Sequence, residues 1–125
     1  MDANFILYVK DQARSREFYA IALGMAPRLD VPGMTEFELS GGCVLGLMPE
    51  KGIKRLLLGL PDPEGPAGAR AEVYLIVADP AAYHARALAA GAAELSPLAP
   101  RDWGHKAAYS LDLDGHVLAF AAKLP

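Results

Sequence analysis

Residues 4 to 10 alternate with a period of two, which predicts a strand carrying Phe5, Leu7 and Val9 on one face and Asn4, Ile6 and Tyr8 on the other. Asp11 follows as a helix N-cap and Gly24 as a left-handed C-terminal cap. Between them Phe18, Ile21 and Ala22 recur at helical spacing and are expected to face the core, with Arg14, Arg16 and Glu17 toward water, so the spacing predicts a helix over 12–23. Short apolar segments come next: Met25 to Leu29, a Val31-Pro32-Gly33 turn, and a strand over 35–40 in which Phe37 and Leu39 alternate with Glu36 and Glu38. Gly41-Gly42 is a hairpin signal leading into residues 43–48.

The same grammar then runs a second time. Residues 71–77 read as a strand, Asp79 as a cap with Pro80 at the first helical position, and 80–90 as an alanine-rich helix closed by Gly91. A short strand over 93–97 follows, then a loop over 97–104 containing Trp103-Gly104. Strands over 106–111 and 117–122 flank Asp112-Leu113-Asp114-Gly115, whose Asp-Gly pair is a turn signal. The order is β-α-β-β-β twice. The expected fold is therefore α+β: two tandem βαβββ modules forming a curved mixed sheet around a cleft, with the helices on its outer face. The chain reads as a single domain over 1–125, with module one at about 4–48 and module two at about 71–122. Residues 49–69 are broken by prolines and glycines around an apolar Leu56–Leu60 run, and read as a linker carrying a short strand or a lid.

Composition narrows the classes. Twelve basic and fifteen acidic side chains are interspersed at a net charge of −3, with no basic stripe for a phosphate backbone, so nucleic acid is not expected as a partner. No apolar run approaches the ~20 residues that span a bilayer, and no leader pattern opens the chain, so a cytoplasmic protein with no membrane partner is expected. The lone Cys43 permits no intrachain disulfide and reads as a small core residue.

Asp11, Phe18-Tyr19, Leu23-Gly24, Trp103-Gly104 and Asp112-Leu113-Asp114-Gly115, in this order on a twofold repeat, resemble the signature positions of the vicinal oxygen chelate superfamily. That group includes glyoxalase I, bleomycin-resistance proteins, fosfomycin-resistance enzymes and extradiol dioxygenases. The resemblance covers nearly the whole chain and implies two βαβββ modules around a cleft, in a homodimer. It also implies where metal-dependent members hold a divalent ion. The corresponding positions here are Asn4, Gly46, Glu72 and Ala119. Only Glu72 is a normal ligand type, whereas a catalytic zinc needs about three protein ligands and hard cations need several oxygen donors. Sliding the register by one residue brings only Leu45, Leu47, Leu118 or Phe120, so no metal and no other cofactor is expected.

Small-molecule contact is assigned to Asn4, Tyr8, Glu72, Tyr74, Trp103, His105 and Tyr109. The tyrosines and tryptophan offer broad apolar faces with polar tips. Glu72, expected on the cleft face with Tyr74 and Ile76, should have a raised pKa on a partly apolar wall and is the candidate catalytic group. His84 and His116 read as solvated or hydrogen-bonded, and Glu36 with Glu38 either as acids giving the cleft a negative potential or, preferred, as a solvated outer face.

The leading functional reading is a homodimeric, metal-free binding protein of the bleomycin-resistance type. It would sequester an amphipathic small molecule in the cleft, with Glu72 and neighbouring acids suited to a cationic one. The alternative is a glyoxalase-like lyase or isomerase with Glu72 as general base and a metal recruited from outside the inherited positions. A third reading, favoured by a closed cleft, is a regulatory or partner-binding module.

Overall fold

The computed structural model describes residues 1–113 and 115–125; the turn expected at Asp114-Gly115 lies partly outside the described residues. The elements run β1 (Asp2–Val9), α1 (Gln12–Leu23), β2 (Leu29–Val31), β3 (Met34–Ser40), β4 (Cys43–Pro49), α2 (Glu50–Leu56), β5 (Ala71–Ile76), α3 (Pro80–Ala89), β6 (Ala93–Pro100), β7 (His105–Leu111) and β8 (Val117–Lys123). Both long helices start where an aspartate caps them. Asp11 accepts from the Arg14 amide and Asp79 from the Ala82 amide at 3.1 Å each, satisfying a first-turn donor that has no partner inside the helix. Gly24, at φ 65°, closes α1 in the left-handed conformation that glycine adopts without penalty. Gly41 and Gly42, both at positive φ, make the β3–β4 hairpin turn.

The strands form one mixed sheet in the order β2-β3-β4-β1-β5-β8-β7-β6. In each half the first strand pairs parallel with the last, β1 with β4 and β5 with β8, and the last pairs antiparallel with the strand before it. The halves join at the centre, where β1 and β5 run antiparallel and set Ile6 opposite Glu72 and Asn4 opposite Tyr74. The register assigns the faces. Glu36, Gly46, Ile6, Glu72, Val117 and Leu111 form one cross-strand row, and Asn4, Tyr74, Ala119 and Tyr109 form the next. These define the inner face. Helices α1 and α3 lie on the other face: Gln12 of α1 reaches Thr35, and Tyr83 of α3 stacks near Phe120 at 5.3 Å between ring centroids.

Three expectations need correction. The 49–69 segment holds a helix, α2, and no strand; it lies on the inner face, with Ile53 and the following Leu57 and Leu60 packed among Ile6, Tyr8, Tyr74, Tyr109 and Val117. Apolar residues at 53, 57 and 60 have helical spacing, a signal masked by the prolines and glycines around them. The expected 97–104 loop is strand up to Pro100, because β6 is a sheet edge, where prolines at 97 and 100 cost no ladder donor. Finally, the apolar stripe of α1 faces outward: Phe18 is 63% and Ile21 76% exposed. The residues that α1 turns to the sheet are Gln12, Ser15, Arg16, Tyr19 and Ala20, all half-buried. Polar anchoring decided this orientation. The Gln12 amide donates to the Val31 carbonyl at 2.8 Å and to Thr35 Oγ1 at 2.9 Å, and accepts from the Gly33 amide at 3.0 Å.

Candidate functional site

The inner face gathers all seven residues assigned to contact. β1 supplies Asn4 and Tyr8, β5 supplies Glu72 and Tyr74, β7 supplies His105 and Tyr109, and Trp103 reaches in from the β6–β7 loop. Five of them form two hydrogen-bonded groups. In the first, the Tyr8 hydroxyl donates to Glu72 Oε2 at 3.1 Å, deep in the molecule, with Tyr8 1% and Glu72 4% exposed. In the second, Trp103 Nε1 donates to the Tyr74 hydroxyl at 2.9 Å, and that hydroxyl lies 2.7 Å from His105 Nδ1. The Tyr74 hydroxyl, which accepts from Trp103, has both a proton and a second lone pair for Nδ1, so the direction of that bond follows the His105 tautomer. The Tyr74 and His105 rings stack at 5.8 Å between centroids, and Tyr109 lies 6.5 Å from Tyr74.

Electrostatics follow burial. Loss of water pushes the Glu72 carboxyl up to about 7, only partly offset by the Tyr8 hydrogen bond, which favours the charged form. Burial raises Tyr74 to about 12, opposed by the Trp103 hydrogen bond. It drives Tyr8 and Tyr109 higher still, with the Glu72 charge adding to the effect in both. His105 is pushed down by burial and then by Lys123, which keeps it neutral at physiological pH. At neutral pH the face therefore holds one group, Glu72, poised between charged and uncharged.

Two side chains of the site stand outside the contact set assigned from the sequence. Arg101 sits with its guanidinium 5.3 Å from the centre of the Tyr109 ring and donates to the Ala107 carbonyl at 2.8 Å and to Ser96 Oγ at 2.8 Å. It fastens the β6–β7 connection, and so the position of Trp103. Its place two residues before Trp103 was the available signal. Glu36 is the other. The register puts it on the inner face, half-buried and paired with Arg28 at 3.0 Å, and its charge acts on Tyr74 and His105. The reading of Glu36 as part of a solvated outer face is therefore wrong, because strand alternation alone cannot say which face of β3 will be covered. Its neighbour Glu38 is exposed.

The other two histidines are hydrogen-bonded. His84 is buried and its Nε2 lies 2.9 Å from Glu94 Oε2, while exposed His116 pairs with Asp112 at 3.0 Å.

The positions where related metalloenzymes carry ligands do not make a metal site here. Gly46 and Ala119 contribute no donor, and a Cβ at Gly46 would stand 3.1 Å from Ile6 Cγ1 and 3.3 Å from Met34 Sδ, so hydrocarbon and sulfur already take that space. Ala119 is fully buried between its neighbours Tyr74 and Tyr109. Among the described residues no three His, Cys, Asp or Glu side chains cluster as a metal would require.

Much of the inner face is also covered: Ile53, Leu57 and Leu60 lie against it, and of two surface hollows of about 390 and 320 Å³, neither lined by any of the seven residues, the larger borders it at Leu111. No helix among the described residues is long and apolar enough to cross a membrane.

Comparison with known proteins gives a consistent picture of the fold. A Legionella pneumophila structure, described as an NAD-dependent benzaldehyde dehydrogenase, aligns over 98% of this chain and 99% of its own at 22% identity and a TM-score of 0.74. A glyoxalase/bleomycin resistance protein/dioxygenase superfamily member from Vibrio splendidus 12B01 aligns over 97% of each chain at 18% identity and a TM-score of 0.68. The methylmalonyl-CoA epimerase of Streptomyces coelicolor covers 100% of this chain and 97% of its own at 16% identity and a TM-score of 0.65. At such identities the likeness carries the fold alone. No curated protein matches the chain. The family model described as Glyoxalase/Bleomycin resistance protein/Dioxygenase superfamily matches residues 3–120, nearly the whole twofold repeat, and the chain belongs to that superfamily.

Proposed function

We propose that this protein binds an amphipathic small molecule on the inner face of its sheet without a metal, as a cytoplasmic homodimer, with Glu72 as the partner of a cationic head group. The observation that carries the reading is the buried Glu72–Tyr8 pair. A carboxyl group buried to this degree costs stability, and its cross-strand neighbours Ile6 and Val117 belong to the same buried cluster as Ile53, Leu57 and Leu60. Such a group is retained more readily where it has work to do. Tyr74, Trp103, His105 and Tyr109 supply the adjoining aromatic wall, and Asn4 the polar group next to Tyr74.

Trp103 is the sole tryptophan, so its fluorescence reports on this site directly. Titration with alkylammonium ions and with bleomycin-type glycopeptides is expected to give a saturable change for at least one of them, weakened at least tenfold for the cation in Glu72→Gln. Absence of any saturable change up to high micromolar concentration in both series sinks the proposal.

A second reading is supported by a different observation. The carboxyl pushed up to about 7 suits a general base that abstracts a proton next to a carbonyl, as a glyoxalase-like lyase or isomerase would require. Elemental analysis of the purified protein, joined to solvent-deuterium exchange into small 2-oxo compounds, separates the two. Stoichiometric divalent metal, or exchange abolished in Glu72→Gln, favours the enzyme. The covered inner face, taken alone, favours a partner-binding module that takes no small ligand. The buried ionisable pair weighs against it, since a purely structural core is better served by hydrocarbon.

A further inference from the structure

Residues 50–60 occupy the face where the proposed function places a ligand. Ile53 and Leu57 are at most 1% exposed and, with Leu60, belong to the packed cluster that contains Ile6, Tyr8, Tyr74 and Val117. Glu72 is embedded in that cluster: Ile6 and Val117 are its cross-strand neighbours and Tyr8 its hydrogen-bond partner. The segment is held lightly at its ends. Helix α2 has only seven residues, Pro49 at its N-cap makes no side-chain cap, and Gly59 and Pro61 interrupt the chain just beyond its end. A helix this short does not persist on its own, so its place depends on the three aliphatic contacts.

We propose that residues 50–60 are a displaceable plug, seated on the inner face while Glu72 carries its proton and released when Glu72 loses it. The argument is a cycle. With the plug seated, Glu72 is out of water, and an ionised carboxylate there has one hydrogen bond, from Tyr8. With the plug lifted, the same carboxylate is hydrated and regains an ordinary acidity near 4.3. Loss of the proton therefore weakens the seated form relative to the open one, and removal of the plug strengthens the acid. The neutral form of Glu72 keeps its proton in the seated state up to about pH 7. The open fraction must then rise with pH between roughly 4.5 and 7, by at most about tenfold per pH unit, and level off above 7.

The other charged and titratable groups facing this region do not mimic that signature. Tyr8, Tyr74 and Tyr109 titrate far above the window, and His105, pushed down by burial, binds fewer protons in the folded state, so its titration favours the closed form as pH rises, the opposite sign. Glu36 is paired with Arg28 at 3.0 Å, a contact that involves no residue of 50–60. Glu50, at the start of α2, pairs with Arg70 at 3.7 Å, and Lys54 pairs with Asp62 at 3.0 Å, whose carboxyl the Glu64 amide and Lys54 hold below its ordinary value and so below the window. In the vacated place the three aliphatic side chains define the shape a ligand must supply. The occupant is thus a branched or linear aliphatic body with a cationic head for Glu72, a statement that rests on the proposed function, whereas the plug itself does not.

The test uses the full chain with no ligand, so that its failure and a failed titration are separate results. Hydrogen exchange is read by mass spectrometry from pH 5 to 8 on peptides covering 50–60, corrected for the intrinsic pH dependence of exchange. In the wild-type chain, opening of 50–60 is expected to rise with pH to a plateau near 7, while α1 and α3 stay protected. Glu72→Gln, neutral at every pH, is expected to hold the plug shut with no slope. Tyr8→Phe removes the hydrogen bond that favours the carboxylate, and is expected to move the plateau to higher pH, which keeps the test alive should Glu72→Gln fail to fold. A wild-type slope retained in Glu72→Gln overturns the proposal. So does protection of 50–60 that is flat with pH, or opening that includes α1 and α3 with the same slope.

Discussion

The two halves of the molecule use one chain plan and fasten their helices by different physics. Counting from the capping aspartates, Gln12, Ser15 and Arg16 of α1 correspond to Pro80, Tyr83 and His84 of α3. In both halves the residue five past the cap meets an acid on the edge strand, Arg16 with Asp30 at 3.3 Å and His84 with Glu94 at 2.9 Å. The Arg16 side chain is 42% exposed and that of His84 only 8%. α3 adds the Tyr83–Phe120 ring contact, while α1 is tied down by three hydrogen bonds from one glutamine and leaves Phe18 and Ile21 in water. A duplicated topology therefore does not duplicate its packing. What is conserved between the halves is the strand register, which is set by the backbone. What diverges is the side-chain layer laid over it.

The sharpest way to break this comparison is at the two inner-face positions that match each other, Gly46 and Ala119. Ala119→Glu buries a carboxylate between Tyr74 and Tyr109 with no room to move, and is expected to cost more than about 3 kcal/mol or to abolish folding, as read by urea unfolding. Gly46→Ala meets the flexible Met34 and one methylene of Ile6, and is expected to cost less than about 1.5 kcal/mol. Equal costs would mean that the inner face is equally tight in both halves.

At the helices, His84→Ala is expected to cost about 2–4 kcal/mol, since it opens a buried space under α3, while Arg16→Ala removes a partly exposed ion pair worth below about 1 kcal/mol. Gln12→Ala lies between them at about 1–3 kcal/mol, because buried Thr35 and the Gly33 amide lose a partner together. An effect of Gln12→Ala as small as that of Arg16→Ala would show that α1 is held by something other than this glutamine.

The pH dependence sharpens the contrast at the centre of the sheet. The folded-state pKa of Glu72 is raised above its unfolded value, so the native state binds more protons between roughly pH 4.5 and 7, and stability is expected to fall with pH across that window and level off above it. In Glu72→Gln this contribution to the slope is expected to vanish in urea midpoints measured from pH 5 to 8. The smallest effect is reserved for α1: Ile21→Ser is expected to change the stability of a single chain by less than about 0.5 kcal/mol. A larger loss that depends on protein concentration would place the α1 face in the proposed homodimer contact.

Much of this was legible in the chain itself, for reasons of locality. The Asp11 and Asp79 caps, Gly24, Gly41-Gly42 and the period-two alternation of β1 and β5 depend on neighbours a few residues away, and each element stands where these signals put it. Asn4, Tyr8, Glu72, Tyr74, His105 and Tyr109 share a face because alternation and pairing fix parity, and the raised pKa of Glu72 follows once that face is covered. The chain also left no donors at 46 and 119, which no tertiary arrangement could restore.

Tertiary structure decided the rest. Which stripe of α1 turns inward was settled by Gln12 finding the Val31 carbonyl and Thr35 across nineteen or more residues, a contact that helical periodicity cannot register. Which segment covers the inner face was settled by Ile53, Leu57 and Leu60 folding back onto strands from both halves. The sequence by itself determined the order of strands, caps and turns and the loss of the metal donors, because these depend on residue identity and local geometry. Only the folded molecule decided that Glu72 is buried, that Trp103 and His105 converge on Tyr74, and that the cleft is filled from within, because burial belongs to surfaces brought together from distant parts of the chain.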